Sequence, residues 1–247
     1  MRSATRSRTS SWTPSGGAPW SPSRSAGRSS VWPRERPAVI PEPGPGSALL
    51  LVDLQVDFCP GGALAVREGD AVVAVANRLL PRFPLVVATQ DWHPPGHESF
   101  ASAHPGRSRG DVIPLHGLDQ VLWPDHCVQG SPGAELHPDL ETGPIEAIVR
   151  KGTDPAIDSY SAFFDNARRK RTGLAGYLRD RGVTDLWVMG LATDYCVRAS
   201  ALDAVEQGFR TWLIAEGCRA VELSPGDGAR AVQEMREAGV EVVSGGG

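Results

Sequence analysis

The residues able to do chemistry in this 247-residue chain sit at the ends of apolar runs. Cys196 lies in "GLATDYCVRAS", directly after "DLWVM" and at what reads as the start of a helix capped by Thr193. Free N–H groups and the helix dipole at such a position favour a thiolate and offer donors to an oxyanion. A free thiol with a pKa of about 8.5 is only slightly ionised at neutral pH, so a nucleophile there needs activation. From these residues alone Cys196 reads either as a nucleophile or as a buried small hydrophobe. Asp53 ends "SALLLVDL", where a carboxylate is costly to bury without a partner. It is either a general acid/base or a cap for the turn that follows. Lys151 ends "IEAIVRK", either as an exposed strand-end lysine or as an ammonium that lowers the thiol pKa and holds developing negative charge.

The metal candidates lie in "QDWHPPGHESF" and "LWPDHCVQG", which present Asp91, His93, His97 and His126. Pro94, Pro95 and Gly96 exclude the helical H-E-x-x-H geometry, so these residues must meet in loops. One carboxylate and three imidazoles suit one divalent ion, Zn²⁺ first, with Fe²⁺ and Mn²⁺ as alternatives. Loop histidines are otherwise ordinary solvated residues, and His104, His116 and His137 are read that way. Phe58, Trp92 and Trp123 flank the polar residues, either as core or as walls for a flat ring. Cys59, Cys127 and Cys218 have weaker settings and read as structural.

Six short apolar segments must position these residues: 47–54, 84–91, 145–152, 185–192, 210–217 and 240–244. Continuous apolar runs of this length fit strands buried on both faces. Helical patterns lie between most of them, several ending in glycine as a left-handed cap favours. Alternating strands and helices predict an α/β, Rossmann-like three-layer sandwich. Its six-stranded parallel sheet has the order 3-2-1-4-5-6, with helices on both faces. The exception is a stretch of some fifty residues after the second strand, rich in His, Pro, Trp and Gly, which reads as a long metal-binding insertion. With that strand order, Asp53, Asp91, Lys151 and Cys196 converge at the carboxyl edge of the sheet, where such sheets bind ligands.

Residues 1–46 are rich in Arg, Ser, Pro and Gly without hydrophobic period, and are expected to be a disordered extension preceding one domain at 47–247. An organelle transit peptide and an over-long start are both compatible with them. Their seven arginines and two glutamates leave the remainder at −9 against a whole-chain charge of −4, which argues against a nucleic-acid partner. No run approaches a membrane span, and four widely spaced cysteines without a C-x-x-C pair suit a reducing, cytoplasmic setting. An assembly of identical subunits is compatible with the sequence.

Five segments, "LLLVDLQVDFCPGGALAV", "ATQDWHPPGHESFAS", "LWPDHCVQGSPGAELHPDL", "VRKGTDPAIDSYSAFFDN" and "GLATDYCVRASALDA", resemble the motifs of the nicotinamidase (pyrazinamidase) family of isochorismatase-like cysteine hydrolases, in that family's order. The resemblance spans roughly residues 47–244. It implies a triad of Asp53, Lys151 and Cys196, and metal ligands Asp91, His93, His97 and His126. It implies ring-binding residues Phe58, Trp123, Tyr160 and Leu191. A cis Leu191–Ala192 bond is implied too, with the Ala192 and Cys196 N–H groups as the oxyanion hole. The implied reaction is hydrolysis of nicotinamide to nicotinate and ammonia through a thioester, serving NAD salvage, with pyrazinamide as a further substrate. The alternative is a metal-independent amidase of the same superfamily acting on carbamoyl or ureido compounds. A binding protein on this fold would be expected to lose the thiol or the lysine, and both are present.

Overall fold

A computed structural model describes residues 38–244 of the chain. Nine strands and four α-helices follow in the order β1 (Ala38–Val39), β2 (Ser47–Val52), α1 (Ala71–Leu79), β3 (Leu85–Asp91), β4 (Val112–Leu115), β5 (Leu118–Val121), β6 (Ala147–Lys151), α2 (Leu174–Asp180), β7 (Asp185–Leu191), α3 (Arg198–Glu206), β8 (Arg210–Arg219), α4 (Asp227–Glu237) and β9 (Glu241–Ser244). The main sheet is parallel throughout, in the order β6-β3-β2-β7-β8-β9-β1. Its first six members are the six expected strands in the expected order.

The seventh strand corrects the expectation. Ala38 and Val39 pair in parallel with Val243 and Ser244, covering backbone groups that β9 would otherwise leave open at the sheet edge. The folded part therefore begins ahead of Ser47, inside the segment expected to be an extension. The disorder expected for residues 1–37 lies outside the described residues.

Burial follows position in the sheet. Every residue of β2 and β3 is buried, as central strands covered on both sides require. At the opposite edge from β1, β6 alternates and exposes Ile148 and Arg150. The β2–β3 crossover runs one way along the sheet and the β7–β8–β9 crossovers run the other, so right-handed connections put α1 on one face and α3 and α4 on the other. Gly190 allows the tightest contact between central strands, because a Cβ there would stand 2.1 Å from the carbonyl oxygen of Val52. Among the described residues, no helix is long and apolar enough to cross a membrane.

The insertion after β3 carries its own antiparallel hairpin, β4–β5, turned at His116 and Gly117 with φ of 51° and 86°. The rest is irregular but fastened by backbone pairs. His93 N donates to Cys127 O at 3.0 Å, Gln129 N to His93 O at 2.8 Å, and Trp123 N to Ser99 O at 2.9 Å. These bonds fold the insertion back on itself and bring His93, Trp123 and His126 to the end of β3.

Candidate functional site

Asp53 follows β2 directly, with a φ of 51° that few side chains other than Asp and Asn adopt readily. Thr89 of the neighbouring β3 holds it twice: the Asp53 N–H donates to Thr89 Oγ1 at 3.1 Å, and Thr89 Oγ1 donates to Asp53 Oδ1 at 2.6 Å. Lys151, at the end of β6, sends its side chain into the interior, where its Nζ stands 2.8 Å from Asp53 Oδ2, 3.2 Å from Asp91 Oδ1 and 3.4 Å from Cys196 Sγ. It also donates to the Ser159 carbonyl at 3.0 Å. Both Asp53 and Lys151 are inaccessible to solvent, so the strand-end lysine and the turn-capping aspartate are excluded as readings. A buried ammonium in contact with two carboxylates and a thiol marks a candidate functional site.

Cys196 stands on a π-helical turn, Thr193–Val197, rather than in the first turn of an α-helix. Val197 N donates to Ala192 O across this widened turn, and α3 begins only at Arg198. Thr193 does not cap it; its hydroxyl is buried without a partner. The Leu191–Ala192 peptide bond is cis. Asp194 ties the turn to the opposite wall, accepting from the N–H groups of Val221 and Glu222 at 3.0 and 2.9 Å.

The electrostatics differ from the simple dipole argument. Burial pushes the Cys196 thiol well up, Lys151 works against it, and Asp53, Asp91 and Asp158 add to it. These influences favour the protonated thiol over the thiolate. Burial likewise raises Asp53, opposed by Lys151, making it a better proton acceptor than an ordinary carboxylate. Burial alone would lower Lys151, but Asp53 and Asp91 hold it well above its usual value.

Asp91 joins this triad to a second cluster. Its Oδ2 lies 3.1 Å from His93 Nε2 and 3.5 Å from His126 Nε2, and the three residues form a buried group whose ligand atoms all lie within 4.8 Å of one another. Gln55 fixes Asp91 through its backbone, accepting from Asp91 N and donating to Asp91 O, both at 2.8 Å. Each imidazole is oriented by a backbone carbonyl at Nδ1: Gly152 O at 3.0 Å for His93 and Pro124 O at 2.8 Å for His126. A carbonyl only accepts, so the proton sits on Nδ1 and the Nε2 lone pair is left for a metal. His93 Nε2 has no hydrogen-bond partner despite complete burial. The donor set therefore fits a divalent cation.

His97 stands apart from the other three expected ligands. Its ring lies 4.4 Å from that of His93, but it is outside the three-residue group. Its Nδ1 lies 2.8 Å from Ser99 Oγ and 3.1 Å from the Ser99 N–H, and its Nε2, like that of His93, is buried without a hydrogen-bond partner.

One cavity opens onto both clusters, bordered by Phe58, Trp123, Tyr160, Ala192 and Cys196 among the expected residues, and by Asp91 and His126. Leu191 is fully buried and does not border it. Trp123 donates from Nε1 to the Tyr160 hydroxyl at 3.1 Å and meets Tyr195 edge-on at 4.8 Å. Leu64, Asp158, Tyr195 and Val221 also line it, and sequence reasoning missed them. Only Thr89 and Gln55 carried a readable signal: polar side chains in or just after an apolar central run need partners. Asp158 and Val221 lie in irregular segments whose path no periodicity reveals.

Comparison with known proteins agrees with this geometry. The isochorismatase domain model matches residues 47–245. Nicotinamidase of Escherichia coli (strain K12) is 55% identical over 199 residues, covering 79% of this chain and 93% of that protein. Among solved structures, a nicotinamidase pyrazinamidase of Acinetobacter baumanii superposes with a TM-score of 0.79 at 46% identity, covering 81% of this chain and 97% of the other. Pyrazinamidase of Pyrococcus horikoshii in complex with zinc does so at 0.66 and 39%, covering 81% and 99%. The chain belongs to the isochorismatase family.

Proposed function

We propose that the protein is a nicotinamidase, an amidohydrolase that converts nicotinamide to nicotinate and ammonia, and that it also accepts pyrazinamide. One observation carries this reading: Cys196, Lys151 and Asp53 form a buried contact chain that shares Asp91 with the Asp91–His93–His126 group, in one cavity walled by Phe58, Trp123 and Tyr160. Aromatic walls of this kind suit a flat ring, with its carboxamide toward the thiol.

Asp53 takes the Cys196 proton, and the sulfur attacks the carboxamide carbon. The Ala192 and Cys196 N–H groups hold the resulting oxyanion, while Lys151 offsets charge as it moves between sulfur and carboxylate. The C–N bond then breaks, and Asp53 returns its proton to the departing ammonia, leaving a thioester. Asp53 next removes a proton from water, whose oxygen attacks the thioester and releases nicotinate and the thiol. Asp91, His93 and His126, with the His97 ring beside them, would hold a divalent ion, which would supply an electrophile for the ring nitrogen. The work fits NAD salvage, and four unpaired, buried thiols support a cytoplasmic setting.

A panel of nicotinamide, pyrazinamide and ureido compounds, read by ammonia release, tests the substrate. The expected result is turnover of both ring carboxamides with nicotinate formed in equal amount to ammonia. Turnover confined to ureido compounds, or none at all, would overturn it.

A further inference from the structure

Asp57 has no part in the reaction as derived above, yet its side chain ties together two stretches of chain that border the cavity. It sits in the 3₁₀ turn Val56–Phe58, just after β2. Its Oδ1 accepts from Ala63 N at 3.1 Å and its backbone carbonyl from Leu64 N at 3.0 Å, which closes the loop that carries Phe58 and Leu64. Its Oδ2 accepts from Cys127 N at 2.7 Å, in the insertion. Phe58, Leu64 and His126 all line the cavity, and each lies at one of these bonds or next to it in sequence. The rings of Phe58 and His126 meet edge-on at 5.5 Å. Cys127 has a φ of 45°, a left-handed conformation that such a residue keeps only where its surroundings fix it. Asp57 holds its N–H, and the His93 N–H holds its carbonyl at 3.0 Å.

A carboxyl group offers an acceptor oxygen to each of these N–H groups, whereas an amide in its place offers one oxygen and turns a donor toward the other. The chain also leaves space for it. A Cβ on Gly133 would overlap the Asp57 carboxyl group, and Gly133 is not left-handed, so room rather than backbone conformation calls for glycine there. We propose that Asp57 is a positioning residue for the substrate: it sets where Phe58 and Leu64 stand relative to His126, and so governs how tightly the ring is held rather than the chemistry at Cys196. This rests on the nicotinamidase reading given above.

The test compares wild type with Asp57→Asn, Asp57→Ala, Gly133→Ala and the Asp57→Ala/Gly133→Ala double variant, in the whole chain at saturating Zn²⁺. For each, kcat and KM for nicotinamide, nicotinate affinity by calorimetry and the unfolding midpoint are recorded. Asp57→Asn loses one acceptor and should raise KM by about three- to tenfold. Asp57→Ala and Gly133→Ala should raise it by about tenfold or more, with nicotinate affinity weakened in step and kcat within about threefold of wild type. Adding Gly133→Ala to Asp57→Ala should cost little further, because the new Cβ enters space that the carboxyl group has left. A lowered midpoint with wild-type KM and nicotinate affinity would make Asp57 merely structural and overturn the proposal. So would a loss confined to kcat, or effects of Asp57→Ala and Gly133→Ala that simply add. If Asp57→Ala does not fold, Asp57→Asn and Gly133→Ala carry the same comparison. Wild type that neither binds nicotinate nor hydrolyses nicotinamide would instead remove the reading beneath it.

Discussion

Replacing Lys151 by methionine keeps the length of the side chain and removes its charge. At an effective dielectric of about 20, unit charges separated by 2.8 Å, the distance from Lys151 Nζ to Asp53 Oδ2, attract by about 6 kcal/mol. The ammonium no longer has to be stripped of water, which returns several kcal/mol, so breaking a buried pair of this kind costs about 3 to 5 kcal/mol in net terms. The chain can pay that cost in two ways. If Asp53 stays ionised, folding stability falls by the full amount. If Asp53 takes up a proton, its pKa rises further because the lowering by Lys151 is gone, and the base is lost at neutral pH. The direction follows from the sign: Lys151 favours the ionised carboxylate, so its loss moves the acid limb of the pH–rate profile upward. The assay is kcat/KM for nicotinamide against pH at saturating Zn²⁺, alongside urea unfolding of the stripped protein. At neutral pH the variant should lose at least about a hundredfold in kcat/KM and recover part of it as pH rises. Because Lys151 also touches Asp91, metal content is measured in parallel. An unmoved acid limb together with unchanged stability would refute the argument.

Three further outcomes follow from the same geometry. A Cβ on Gly152, where φ is 63°, would lie 2.5 Å from His93 Cε1 and 2.8 Å from Asp91 Oδ1; Gly152→Ala should therefore weaken Zn²⁺ retention by about tenfold or more, and equal retention in a chelator titration would contradict that. Burial raises both Asp53 and Cys196, so wild-type activity should fall with decreasing pH at a value above the ordinary carboxylate range. It should show no gain as pH climbs through the ordinary thiol range; a rate that tracks ordinary thiol ionisation would count against Asp53 as the proton acceptor. For the same reason iodoacetamide should alkylate native Cys196 slowly at neutral pH, as it should Cys59 and Cys218, whose thiols are pushed up to about 11 and about 12; rapid selective labelling of Cys196 in the free enzyme would show a standing thiolate instead.

The sheet could be read because β2, β3 and β7 are covered on both faces and so carry unbroken apolar runs, and strand order then follows from crossover handedness. Asp53, Asp91, Lys151 and Cys196 could be placed together on that basis, since each ends or follows a strand. Other parts left no such trace. Ala38–Val39 is too short for any period to register, and it pairs only because β9 offers a free edge. Whether Cys196 opens an α-helix or stands on a π-turn depends on one backbone bond, Val197 N to Ala192 O, which residue types do not specify. His97 and His93 look alike as residues, yet the carbonyl of Gly152 holds one ring and Ser99 the other. Asp158 reaches the pocket along an irregular segment whose path no periodicity reveals.

The central claim is that one thiol, Cys196, carries the amide hydrolysis. The direct measurement is ammonia and nicotinate released from nicotinamide by wild type and by Cys196→Ala, with metal content and unfolding midpoint recorded for both. The account predicts equal release of both products by wild type and a loss of at least about a thousandfold in the variant, with fold and metal retained. A folded, metal-loaded Cys196→Ala protein that keeps more than a few per cent of the wild-type rate would contradict it.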